Sequence, residues 1–200
     1  YFDGHGDKQG VEAKKAAFKH YRACVDHAGF TQLTSLSQAA IHCRLAALYL
    51  DGHDDKQGVE AKKVAFKHGR ACVDHIGFTQ LRPVLQAAIH CRLADLHLIG
   101  LGDKQGVEAK KAAFKHLKVC VDHAGFTQLR PVHQAGIHGN LADLYFDGHG
   151  DKQGVEAKKA AFRHYRACVD HAGFTQLRPV HQAHIPSFLG QAAIHCRLAD

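Results

Sequence analysis

Apolar residues at the start of the chain fall at helical spacing. Ala17, Phe18, Tyr21, Cys24, Val25 and Ala28 follow an i, i+3, i+4, i+7 stripe, which predicts a helix from Val11 to about Ala28. Gly29 is expected to end it in the left-handed conformation that glycine adopts at little steric cost. The connector Phe30-Thr31-Gln32-Leu33 leads to a second helix, opened at Ser35, whose stripe is Ile41, Leu45, Leu48 and Tyr49. Asp51-Gly52-His53-Asp54 then reads as a turn in which glycine permits positive φ. Valines are isolated and no run alternates with period two, so strands are not expected.

This two-helix pattern recurs. Asp7-Lys8-Gln9-Gly10-Val11-Glu12-Ala13-Lys14 returns at Asp55, Asp103 and Asp151, a period of 48 residues. Gly77, Gly125 and Gly173 repeat Gly29, and Pro83, Pro131 and Pro179 stand where a second helix would take its first residue. A fixed period of this size marks an array in which each unit buries its apolar face on its neighbours. The fold class expected is an all-α solenoid of helical hairpins. It is one array over residues 1–200, of about four repeats, with the first-type helices starting near 11, 59, 107 and 155 and an insertion at 184–192 in the last repeat. The chain ends Leu198-Ala199-Asp200 where other copies continue with Tyr-Phe, and it begins Tyr1-Phe2. That suggests either an excerpt of a longer array or units that complete one helix head to tail between chains. The copies are alike enough for recent duplication or consensus design.

Leu141-Ala142-Asp143-Leu144-Tyr145-Phe146-Asp147-Gly148-His149-Gly150 resembles the Leu-Ala-x-Leu-Tyr-x-x-Gly-x-Gly stretch of Sel1-like repeats, relatives of the tetratricopeptide repeat. Leu45-Ala46-Ala47-Leu48-Tyr49 keeps the helical part with Asp54 for the second glycine, and Leu93-Ala94-Asp95-Leu96-His97 has histidine for tyrosine. Ala17, Tyr21 and Cys24 are similar to the small, aromatic, small trio of a tetratricopeptide unit. The usual unit of about 34 residues is shorter, and two lengthenings of about two helical turns would preserve the phase. The resemblance implies a non-enzymatic scaffold that binds protein or peptide on a concave surface. In that register the second helices line the surface with Cys43, Arg44, Ala47 and their equivalents. Arg44, Arg92, Asp95, Asn140, Asp143 and Arg197 are then the candidate partner-binding residues, since arginine offers a fixed fork of donors to carboxylates and amides.

His20, Cys24 and His27 lie within about one sixth of a helix circumference. His68-Cys72-His75, His116-Cys120-His123 and His164-Cys168-His171 repeat the trio unchanged. Imidazole and thiolate are the usual zinc ligands, so a metal-binding array is the first alternative. Ligands at i+7 stand about 10 Å apart along the axis, so a pair such as His20 with Cys24 is the more credible chelate, and core packing of the cysteines is the plainer reading. His42-Cys43, His90-Cys91 and His195-Cys196 form a second set on the other helix, with His138-Gly139 lacking the thiol.

Composition narrows the rest. An apolar content of 46% excludes general disorder, and no apolar run is long enough to span a membrane. Tyr1-Phe2-Asp3-Gly4-His5-Gly6 lacks the basic and apolar blocks of a signal peptide, so an unsecreted chain is expected. The net charge of +7 comes from lysines spread in copies of Ala13-Lys14-Lys15 rather than gathered in one arm. That weighs against the second alternative, a basic nucleic-acid-binding solenoid. Seven cysteines, with no C-x-x-C pair, fit reduced thiols in a cytoplasmic setting. There is no methionine, as in a fragment, a processed product or a designed sequence. Four equal copies of Cys24 and Asp26-His27 are not how one preorganised active site is built, and no phosphate-binding glycine loop is present. No enzyme activity and no resident cofactor are expected, zinc being the one candidate. Self-association head to tail is the other partner expectation.

Overall fold

A computed structural model describes residues 8–52, 58–177, 179, 182, 185 and 190. It contains seven α-helices: α1 (Lys8–Asp26), α2 (Ser35–Leu50), α3 (Gly58–Val73), α4 (Pro83–Leu98), α5 (Gly106–Asp122), α6 (Pro131–Phe146) and α7 (Gly154–Val169). A 3-10 turn of Phe-Thr-Gln follows each of α1, α3, α5 and α7, and there is no strand among the described residues. The chain is an all-α solenoid of hairpins. Pro83 and Pro131 open α4 and α6, where the missing N–H costs no hydrogen bond. Thr34 caps α2 by accepting the Ser37 N–H at 3.2 Å.

The closest helix pairs are α2 with α3, α4 with α5, and α6 with α7, each joined by an Asp-Gly or equivalent turn. Small residues line these seams. Ala39, Cys43 and Ala46 lie with Cys72 in one core cluster, and Ala87, Cys91 and Ala94 share another with Ala113 and Cys120. Small side chains let helix axes approach toward the short end of the usual ~8–10 Å range. Larger groups separate the looser pairs. Phe18 meets Tyr49 edge to face at 5.1 Å between α1 and α2, and Phe66 with His97 and Phe114 with Tyr145 repeat the contact at the same distance. The stripe that faces the preceding helix runs Ala61, Ala65, His68, Cys72 on α3. Ala65 and Cys72 are fully buried, as are Ala113 with Cys120 and Ala161 with Cys168 in the later copies. Gly69 of α3 lies where Leu117 and Tyr165 stand in α5 and α7. A Cβ on it would come 3.0 Å from Leu93.

The glycine after each first-type helix departs from expectation. Gly29, Gly77, Gly125 and Gly173 all have φ between −81° and −85°, so none is left-handed. Space selects the residue instead. A Cβ on Gly77, Gly125 or Gly173 would stand 2.1 Å from the backbone of Ser35, Pro83 or Pro131, the start of the preceding helix. Left-handed glycines occur at Gly52, Gly100 and Gly148, in the expected turn, with φ of 72° to 78°. In the Gly-x-Gly pair that follows the Leu-Ala-x-Leu-Tyr stretch the second glycine has a separate reason. A Cβ on Gly102 would meet the His97 ring at 2.2 Å, and one on Gly150 the Tyr145 ring at 2.5 Å.

Candidate functional site

Each tight seam carries a histidine pair. His42 Nδ1 lies 3.0 Å from His68 Nδ1, His90 from His116 at 2.9 Å, and His138 from His164 at 3.0 Å. Two ring nitrogens at that distance share one hydrogen, so one ring donates and its partner accepts, both neutral. Rings close the pair on both sides. Phe30, Phe78 and Phe126 stand edge-on to His42, His90 and His138 at 5.5 Å, while Tyr49, His97 and Tyr145 stack on His68, His116 and His164. Burial pushes His68, His90, His116 and His164 down to about 4, and lowers His42 and His138 as well. A charge on the paired histidine adds to the effect for His68, His116 and His164.

The third residue of each trio does something else. His75, His123 and His171 accept the N–H of Gly77, Gly125 and Gly173 at Nδ1, 3.0 to 3.2 Å away. That fixes the hydrogen on Nε2, which donates to Oε1 of Gln38, Gln86 or Gln134 on the preceding helix at 3.0 to 3.2 Å. Each glutamine amide in turn donates to the carbonyls of its own connector, Gln86 to Leu81 at 2.7 Å and to Thr79 at 3.2 Å. The relay ties the end of one hairpin to the beginning of the same hairpin across the seam.

The trio members therefore have separate partners. In α3, His68 goes to His42, Cys72 to Cys43 and His75 to Gln38. In α5, His116 goes to His90, the Cys120 thiol donates to the Ala87 carbonyl at 3.3 Å, and His123 goes to Gln86. In α7, His164 goes to His138, Cys168 is buried opposite Gly139, and His171 goes to Gln134. On α1, His20 and His27 are exposed and Cys24 is half-buried. Among the described residues no three histidine, cysteine or acidic side chains converge to hold a metal ion. Burial raises Cys120 to about 12 and Cys168 to about 11, which leaves them neutral thiols.

The candidate partner-binding residues divide. Arg197 lies outside the described residues. Cys43, expected on the open surface, is buried in the α2–α3 seam because its small thiol fits between close helices. Asp143 accepts the Tyr165 hydroxyl at 2.6 Å. Arg44 is half-buried on α2. Asp95 and Asn140 meet, with Asn140 Nδ2 3.4 Å from Asp95 Oδ1, and so bridge α4 to α6. They sit in an open groove of about 430 Å³ lined also by Cys91, Arg130, His133 and Gln176. Arg92 borders a smaller neighbouring recess with Asp95 and His133. The groove sets polar groups among apolar walls of Val132, Ile137 and Leu177, with Arg130 and Asp95 as its charged residues. Arg130 donates to His133 Nε2 at 2.9 Å, and burial with Arg130 and Arg92 nearby lowers the His133 pKa. Asp95 keeps solvent contact at the mouth, yet loss of water on its walled side pushes its carboxyl up to about 6, with Arg92 pulling the other way.

The sequence missed Arg130, His133 and Gln176, which come from the start of α6 and the turn after α7 and meet only through stacking of the hairpins. Outside the groove the charges pair along exposed helix faces: Lys63 with Glu60 at 2.9 Å and Lys111 with Glu108 at 2.9 Å. Such pairs are worth little to stability. No described helix is long and apolar enough to cross a membrane. No protein-family model matches the chain, and comparison with curated proteins and with solved structures returns no match.

Proposed function

We propose that the chain is a non-enzymatic helical-repeat scaffold whose α4–α6 groove takes an extended peptide segment rich in acidic or amide side chains. The groove itself carries the reading: an open trough between two second-type helices, with polar groups set among apolar walls, Arg130 on its wall, Arg92 at its border and an Asp95 carboxyl pushed up to about 6. Arginine forks supply directed donors to carboxylates and side-chain amides, and the Asn140 amide adds a donor and an acceptor. The buried thiols and neutral histidines are taken up by seams, which supports a binding role over catalysis.

The test is selection of a random peptide library on the intact chain, followed by titration of the selected peptides against the Arg92→Glu, Arg130→Glu double variant. The expected result is enrichment in aspartate and glutamate and at least about a tenfold loss of affinity in the variant, a change of about 1.4 kcal/mol. Peptides without charge bias that bind both proteins equally would overturn the proposal.

A further inference from the structure

The face of α1 that would meet a preceding helix has no described helix on it. It presents Ala13, Ala17, His20, Cys24 and His27, the same types that α3, α5 and α7 bury. Ala65, Ala113 and Ala161, the counterparts of Ala17, are at most 1% exposed, and Cys72, Cys120 and Cys168 are fully buried, whereas Ala17 and Cys24 are only half-buried. Leu33 shows the same contrast. It is 36% exposed, against 4% for Leu81 and 8% for Leu129. His27 accepts the Gly29 N–H at 2.9 Å as its counterparts do, but among the described residues no glutamine takes its other nitrogen.

The complement is written elsewhere in the chain. Gln191-Ala192-Ala193-Ile194-His195-Cys196-Arg197-Leu198-Ala199-Asp200 is identical, residue for residue, to Gln86–Asp95 of α4. In α4 that decapeptide supplies the partners of the α5 stripe: His90 to His116, Gln86 to His123, the Ala87 carbonyl to the Cys120 thiol, and Cys91 beside that thiol. The segment opened by Pro179 cannot do the same, because it has Pro186 where α4 has His90. We infer that residues 191–200 of a second copy dock on the exposed face of α1, so that chains add head to tail through a seam of the α4–α5 kind. His195 then pairs with His20, Cys196 lies beside Cys24, and Gln191 completes the relay from His27. The contact joins two different surfaces and does not close on itself, so it propagates into an open filament unless a rotation closes a ring.

Sedimentation of the purified 200-residue chain over a wide concentration range tests this, with two blocked variants. Ala17→Glu places a charge on the α1 face, where the half-exposed site leaves the monomer folded, and deletion of 191–200 removes the docking segment. The unaltered chain is expected to grow in mass with concentration, and each variant alone to stay monomeric with an unchanged helical signal. Mixing the two variants should give a one-to-one complex and nothing larger, because the one intact tail occupies the one intact head and the ends left over are a blocked face and a missing segment. A second substitution, His20→Ala at an exposed position, should weaken association several-fold without altering the melting temperature. A chain that is monomeric up to millimolar concentration, a truncated chain that still polymerises, or a mixture of the two variants that stays monomeric would each overturn the inference. The Arg92→Glu, Arg130→Glu protein should assemble as the parent does, which separates this contact from the groove.

Discussion

A single methyl group tests what the repeated glycine does. Gly125→Ala would drive a Cβ into the Pro83 carbonyl, and the helices must separate to make room. A loss of about 3 kcal/mol is expected from overpacking of this kind. Gly29→Ala meets chiefly the His27 ring, at 3.1 Å, which can shift, so its denaturation midpoint should stay close to that of the parent. Equal losses from the two would show that backbone conformation rather than space selects the glycine. Gly136 and Gly139 behave oppositely. They lie inside α6, and an added Cβ would find only ordinary contacts of 3.7 Å with Leu177 for the first and with Cys168 and Ile185 for the second. Each change to alanine is expected to raise stability by about 0.5–1 kcal/mol in urea unfolding. His97 offers a larger repair. Its Nδ1 is buried without a hydrogen bond, while Tyr145 in the same surroundings donates to Asp151 at 2.8 Å. His97→Tyr brings a hydroxyl toward Asp103, the counterpart of Asp151, and should gain about 1 kcal/mol.

At the scale of helices, the histidine seams make stability depend on pH. His68, His90, His116 and His164 titrate near 4 when folded, against about 6.5 in an unfolded chain. Between those values the unfolded state binds more protons, so stability rises with pH across the interval. It should be level above about pH 7, fall as the pH drops through 6.5, and level off again below about 4. Asp95 works in the opposite direction, since its raised pKa favours the folded state as acid is added, but it is one group against several. Urea midpoints measured from pH 7.5 to 4 check the slope, and a midpoint that rises on acidification would contradict the buried neutral pairs. The helices themselves were legible. Proline at the first position, the Asp-Gly turn and the 48-residue period placed the seven described helices within a few residues. The side chains' partners were not. Periodicity along α3 shows that His68, Cys72 and His75 share a face, but not that three residues of α2 divide them, because that requires the register of two antiparallel helices about the turn between them. The pairing of His42 with His68 repeats at a constant separation of 26 residues, a regularity that gains meaning only once the hairpin is known.

The whole molecule is held by nearest-neighbour seams, so its stability is close to a sum over hairpins and their contacts. The groove lies where α6 departs from its sister helices, with His133, Gly136 and Asn140 where α4 has Leu85, Ala88 and Arg92. That departure was visible in the sequence only as variation among copies, and nothing in the spacing marked it as a cleft. Variation of this kind has a second effect. A chain of near-identical hairpins could in principle pair one repeat out of step, since most seams would be satisfied after a slip of 48 residues. Gly69 stands against this. A Cβ there would come 3.0 Å from the Leu93 side chain, so a helix bearing Leu117 or Tyr165 at that position fits the same slot only after Leu93 repacks. The sizes of side chain at positions 69, 117 and 165 thus act as an address, telling otherwise interchangeable hairpins which place in line is theirs.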